Sequence, residues 1–103
     1  MESIVAVGID VAKEKLDVAV FNGKKFVTRI YPNTKEGIER FLEDIEEKYV
    51  EISKDSIHFV MEATGSYNTK VLYAISDRGY PVYVLNPIVS RRYSEEQMKR
   101  TVR

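Results

Sequence analysis

The amino-acid sequence predicts an α/β domain built on a mixed five-stranded sheet of strand order 3-2-1-4-5, with strand 2 antiparallel and helices on the faces. Three observations predict it. Residues 4–11 are a nearly continuous apolar run, Ile-Val-Ala-Val-Gly-Ile-Asp-Val, broken by one charge, Asp10. An Asn22-Gly23 pair separates two further strand-like segments. Helical periodicity then alternates with short apolar strands through the rest of the chain.

An apolar run such as 4–11 suits a strand buried on both faces at a sheet centre. Residues 15–21 alternate and form the second strand, and the short link Ala12-Lys13-Glu14 pairs the first two as a hairpin. Asn-Gly favours a type I′ turn, in which both central residues need positive φ, so residues 24–31 are expected as a third strand antiparallel to the second. Pro32-Asn33 breaks the pattern. Asn33 as N-cap with Glu36 three residues on resembles a capping box. Ile38, Phe41, Leu42, Ile45 and Tyr49 follow at helical spacing opposite an acidic face, predicting a helix over 34–50. Residues 57–62 form a fourth strand, and Ala63-Thr64-Gly65-Ser66 a turn whose last residue can cap a second helix through Tyr67, Val71, Leu72, Ala74 and Ile75. Gly79 is placed to end that helix as its C′ residue. Residues 81–85 form a fifth strand stopped by Asn86-Pro87, and residues 90–103 are charged and helical in pattern. Right-handed crossovers put the fourth strand parallel to the first and the fifth beyond it. That is the ribonuclease H-like arrangement. Residues 1–89 make the domain body and 90–103 a basic extension.

With 103 residues, one domain is expected, large enough for a modest core. Hydrophobic residues at 44% and charged residues at 31% suit a soluble globular protein. No stretch approaches the ~20 apolar residues of a membrane span, and the N-terminal residues lack a basic signal region. The absence of cysteine excludes disulfide scaffolds and thiolate zinc sites and accords with a cytoplasmic location. Net charge is zero, yet it is unevenly spread: residues 1–89 hold 11 basic and 14 acidic residues, and residues 90–103 hold five and two. The basic tail can touch phosphate, or it can be a solvated helix end.

Asp10 lies near the carboxyl end of the first strand and Glu62 ends the fourth. In the expected sheet these strands are adjacent and parallel, and ligands of open α/β sheets bind outside strand carboxyl ends. Two bare carboxylates brought together repel unless a proton or cation intervenes. Hard divalent ions favour oxygen ligands and complete their shell with phosphate oxygens, the chemistry of phosphodiester cleavage. The structural alternative has Asp10 capping the following turn and Glu62 bonded to its own. The same element order with an early Gly-x-Asp also describes actin-like sugar kinases and ATPases.

Longer strings are more specific. Gly8-Ile9-Asp10-Val11-Ala12-Lys13-Glu14-Lys15-Leu16-Asp17-Val18-Ala19-Val20 resembles the opening of the DEDD-type insertion-sequence transposases, relatives of the Piv-type DNA invertases. Asn33, Gly37 and Phe41 are similar to the segment entering that family's first helix. Glu62-Ala63-Thr64-Gly65-Ser66-Tyr67 is similar to its Glu-x-Thr-Gly-x-Tyr motif, and Gly79-Tyr80-Pro81-Val82 with Asn86-Pro87 to its Gly-x-x-Val…Asn-Pro segment. The resemblance spans nearly the whole chain. It implies a RuvC-like domain that cleaves and joins DNA with Mg²⁺ or Mn²⁺ held by four acidic residues, of which Asp10 matches the first and Glu62 the second. It places the other two in a Lys-Thr-Asp-x-x-Asp-Ala motif expected about where the chain stops. It further implies a C-terminal domain with a serine for strand exchange, a structured guide RNA and a homo-oligomer in the full-length protein. On this reading the chain is a fragment, inactive alone, that binds one metal ion weakly.

Around these two acids, Lys13 can reach a phosphate or simply be an exposed hairpin lysine. Asp17 is expected on the surface, away from the metal. Thr64 shapes the turn that starts the second helix beside Glu62, where a helix N-terminus favours an anion. Tyr67 can stack on a nucleotide or pack in the core. His58 is expected as a packed or half-exposed side chain rather than a ligand. Arg91, Arg92, Lys99, Arg100 and Arg103 can neutralise nucleic-acid phosphates. Two other function classes are open: an actin-like phosphotransferase, which would need a glycine-rich phosphate loop where the chain has Val11-Ala12-Lys13-Glu14, and a non-catalytic module for nucleic-acid docking or self-association.

Overall fold

The computed structural model describes residues 4–62 and 67–85. Its elements, in order, are β1 (Val5–Val11), β2 (Lys15–Phe21), β3 (Phe26–Pro32), α1 (Lys35–Lys48), a 3-10 turn (Lys54–Ser56), β4 (Ile57–Glu62), α2 (Thr69–Asp77) and β5 (Val82–Leu85). They form one sheet of order β3-β2-β1-β4-β5. β2 is antiparallel to both its neighbours, whereas β4 is parallel to β1 and β5 to β4. This is the mixed ribonuclease H-like sheet that the sequence predicts.

The apolar residues of one sheet face explain the packing. Val5, Val7, Ile9 and Val11 of β1, Leu16, Val18 and Val20 of β2, and Ile57, Phe59 and Met61 of β4 are all buried. The helices cover that face with Ile38, Phe41, Leu42 and Ile45 of α1 and Val71 and Ile75 of α2. Phe41 stands at the centre, its ring 5.3 Å from Tyr31 and 5.9 Å from Phe59. Arg78, at the end of α2, holds Glu46 of α1 at 2.6 Å and so ties the two helices together. The opposite face is partly open: Ala6 and Gly8 are half-buried and Asp10 is exposed. The expectation that residues 4–11 are buried on both faces is therefore met on one face only among the described residues. The helix expected at 90–103, like the boundary at residue 89, lies outside them.

Several local expectations are corrected by the structure. The hairpin between β2 and β3 is a four-residue loop, because Phe21 pairs with Phe26 and their rings stack at 4.7 Å. Among the described residues no non-glycine has positive φ, so Asn22 does not take the type I′ conformation; only Gly23 does, at 95°. Asn22 instead folds its Oδ1 back to accept from the Lys24 and Lys25 backbone N–H groups, both at 3.0 Å. The third strand accordingly starts at Phe26 rather than residue 24 and runs through Pro32, tolerated on an edge strand.

Helix α1 is capped by Thr34, not Asn33: its Oγ1 accepts from the Gly37 N–H at 3.0 Å. α2 starts at Thr69, its N-cap is Asn68, buried to 7% exposure, and Tyr67 precedes the helix; the turn expected at 63–66 lies outside the described residues. Gly79, with φ of 85°, ends α2 as predicted. The Gly79 N–H donates to Ser76 O and the Tyr80 N–H to Ile75 O, the paired bonds of a Schellman turn.

Candidate functional site

The carboxyl ends of β1 and β4 lie side by side because the strands are parallel and in register. Ile9 pairs with Met61, so Asp10 and Glu62 are the next residues on neighbouring strands. Strands in a sheet are about 4.8 Å apart. Both side chains are exposed, opposite the core, because the residues before them, Ile9 and Met61, point into it. Both line a single open basin of about 940 Å³.

The register adds a third acid. On the other side of β1, Asp10 pairs directly with Asp17 of β2. One row across the sheet thus reads Ile30, Asp17, Asp10, Glu62, Leu85. Asp17 is half-buried and lines the same basin, so the expectation that it lies away from Asp10 is overturned. The alternation carries the signal: Ile9, Val11, Leu16 and Val18 share the buried face, and with Val11 opposite Leu16 across residues 12–15, Asp10 faces Asp17. Like charges directly opposed across a ladder are destabilising, and Lys15 offsets this only through a solvent-exposed contact of 3.6 Å to Asp17. The row beneath is small or apolar, with Thr28, Ala19, Gly8 and Val60, which leaves the basin a low floor.

These acids supply hard oxygen donors in a line, the chemistry a divalent cation needs. Among the described residues no three His, Asp or Glu side chains close into a metal cage. The oxygen donors this arrangement brings to one end of the sheet are the carboxylates of Asp10 and Glu62, with Asp17 beside Asp10.

Around this row the remaining candidates are spread out. Lys13 is exposed in the turn immediately after β1. Tyr67 is 48% exposed, which excludes the core contact, and its carbonyl accepts from the side chain of Asn33. His58 is half-buried, with Nε2 2.9 Å from Asp55 O and its ring beside Tyr83, the packed role expected. Thr64, Arg91, Arg92, Lys99, Arg100 and Arg103 lie outside the described residues. No described helix is long and apolar enough to cross a membrane.

Comparison with known proteins bears on what this arrangement belongs to. A protein-family model described as a transposase, the DEDD type named for IS110, matches residues 7–101. No curated protein sequence matches. Among solved structures, a Bacteroides thetaiotaomicron protein with an actin-like ATPase fold and unknown function is similar at a TM-score of 0.63 and 13% identity, over 84% of this chain and 34% of its own. Thermus thermophilus RuvC, solved in complex with a Holliday junction substrate, is similar at a TM-score of 0.50 and 16% identity, over 82% and 66%. YeaZ from Pseudomonas aeruginosa is similar at 0.52 and 12%, over 90% and 51%. At these identities the likeness concerns the fold. The chain spans between a third and two thirds of the length of these structures.

Proposed function

The chain belongs to the DEDD transposase family, and from that premise we propose that it forms the part of a DNA-cleaving and DNA-joining domain that holds the first two metal-binding carboxylates, Asp10 and Glu62. The observation that carries the reading is their register: the two acids lie side by side at the carboxyl ends of adjacent parallel strands, on the open side of the sheet. A divalent ion held there, Mg²⁺ or Mn²⁺, would stabilise charge building on phosphodiester oxygens. Asp10 and Glu62 would supply the carboxylate oxygens that hold the ion against the sheet edge. Asp17, opposed to Asp10, deepens the negative potential that attracts it. Lys13 is exposed in the adjoining turn and would meet a DNA phosphate. The proposal includes the rest of the family's equipment in the whole protein: the Asp-x-x-Asp pair, a guide RNA and assembly of several copies. That RuvC was solved with a Holliday junction makes branched duplex DNA the natural probe.

The likeness to an actin-like ATPase fold supports a second reading, transfer of a nucleotide phosphate. It is less favoured. Residues 12–15 close as a tight turn, with the Ala12 N–H donating to Lys15 O at 2.9 Å, and contain no glycine to cradle phosphates.

Fluorescence anisotropy of a labelled branched DNA, with Mn²⁺ or with EDTA, tests the proposal. Mn²⁺ is expected to tighten binding. Asp10→Asn should abolish that gain, while in EDTA it should bind slightly tighter than the unsubstituted chain because a repelling charge is gone. Binding indifferent to metal in both proteins would point to a docking module, and ATP hydrolysis to the phosphotransferase.

A further inference from the structure

Asn33 is released from helix capping by Thr34, and its side chain does something else. It stands just after β3, which runs parallel to β1, so it emerges at the sheet edge where Asp10 and Glu62 end their strands. There it makes three hydrogen bonds. Its backbone N–H donates to Glu14 O at 2.9 Å. One side-chain Nδ2 donates to Ala12 O at 2.8 Å and to Tyr67 O at 3.1 Å. Ala12 and Glu14 belong to the turn leaving Asp10; Tyr67 belongs to the path leading from Glu62 into α2. These are the two segments that β1 and β4 feed, and among the described residues no other side chain hydrogen-bonds both. The Asn33 Oδ1 is buried without a donor among the described residues, so it is the amide N–H pair that makes the junction.

We propose that Asn33 is a positioning residue that clamps the exit of β1 to the entry of α2 and so fixes the separation of Asp10 and Glu62. The clamp touches neither acid. It acts through the backbone two residues after Asp10 and five after Glu62. Bonds to backbone carbonyls suit this role, since carbonyl positions follow the main chain rather than a rotamer. Its consequence for metal rests on the proposed function; the clamp itself does not. Partners that orient ligands without contacting the ion typically change metal affinity by about 10- to 100-fold when removed.

The chain has no cysteine, so Lys13→Cys and Lys70→Cys, both at exposed positions flanking the clamp, admit a clean pair of spin labels. Electron–electron distance measurement is expected to give a narrow distribution. Asn33→Ala should broaden it clearly and should weaken Mn²⁺ binding about tenfold. Thr34→Ala, which removes the α1 cap but leaves the clamp, should lower the melting temperature without broadening. An unchanged width in Asn33→Ala, or equal broadening in Thr34→Ala, would overturn the proposal. If Asn33→Ala does not fold, NMR on the unsubstituted chain decides: scalar coupling across the hydrogen bonds from the Asn33 amide to Ala12 and Tyr67 supports the clamp, and its absence overturns it. Broadening in a protein that binds no Mn²⁺ would keep the clamp and sink the metal reading instead.

Discussion

Replacing Gly37 by Ala should destabilise the protein, although the same change in most helices stabilises. Gly37 sits in the first turn of α1 and does not have a positive φ, so conformational freedom is not why it is glycine. Space is. A Cβ there would lie 2.1 Å from the Pro32 carbonyl oxygen, 2.9 Å from its carbonyl carbon and 3.0 Å from its Cδ. Ordinary contact begins at 3.4 Å, so the oxygen must retreat by more than about 1 Å. It is a backbone atom of a residue paired with Lys15, not the end of a flexible side chain. Forcing extra volume into packed structure costs about 1–3 kcal/mol, and a backbone clash belongs at or above the top of that range. Ala recovers about 1 kcal/mol of helix propensity. The net loss is about 2 kcal/mol, which for a chain of about 100 residues lowers the melting temperature by about 10 °C. Thermal unfolding followed by circular dichroism reads it directly. A melting temperature equal to or above that of the unsubstituted chain would refute the close approach of helix and strand.

Asp17→Asn, measured in EDTA, should raise stability by about 0.2–1 kcal/mol by relieving the repulsion from Asp10; a loss in chemical denaturation would mean that the pair is not opposed. Phe41→Ala should cost about 3–5 kcal/mol, because the ring is fully buried among Tyr31 and Phe59; a loss under about 1 kcal/mol in urea melts would displace it from the core centre. Tyr31 donates its hydroxyl to Asp44 at 2.7 Å, and burial, then that bond and the Asp44 charge, push its pKa up to about 12. The folded value lies above the unfolded value of about 10, so this stability is complete below pH 10 and is lost as pH rises toward 12, by at most about 1.4 kcal/mol per unit. Tyr31→Phe should remove one proton's worth of that slope in urea titrations between pH 9 and 12, leaving the same-signed contributions of buried Tyr49 and Tyr80; an unchanged slope would count against the Tyr31 environment.

What the sequence discloses and what it hides divide along a physical line. Strand order follows from element order and crossover handedness, and the acids at the ends of β1 and β4 follow from that order. The apolar stripe Ile38, Phe41, Leu42, Ile45 is legible because burial imposes helical spacing on it. Asp17 is remote from Asp10 along the chain yet opposite it in space, because the hairpin register, which linear spacing does not display, sets the pair. The choice of Thr34 over Asn33 as cap was not legible, since both residue types cap well. What decides it is tertiary: the Ala12 and Tyr67 carbonyls that take the Asn33 amide. Asn22-Gly23 failed for a related reason, as the Asn22 side chain bonds the loop backbone itself and makes a longer connection.

The account stands on a cation site shared between the ends of β1 and β4. Titration calorimetry with Mn²⁺ should show one ion bound weakly by the unsubstituted chain, no binding by Asp10→Asn or Glu62→Gln, and unchanged binding by Glu39→Gln on the exposed side of α1. Equal heats from the Asp10, Glu62 and unsubstituted proteins would contradict it.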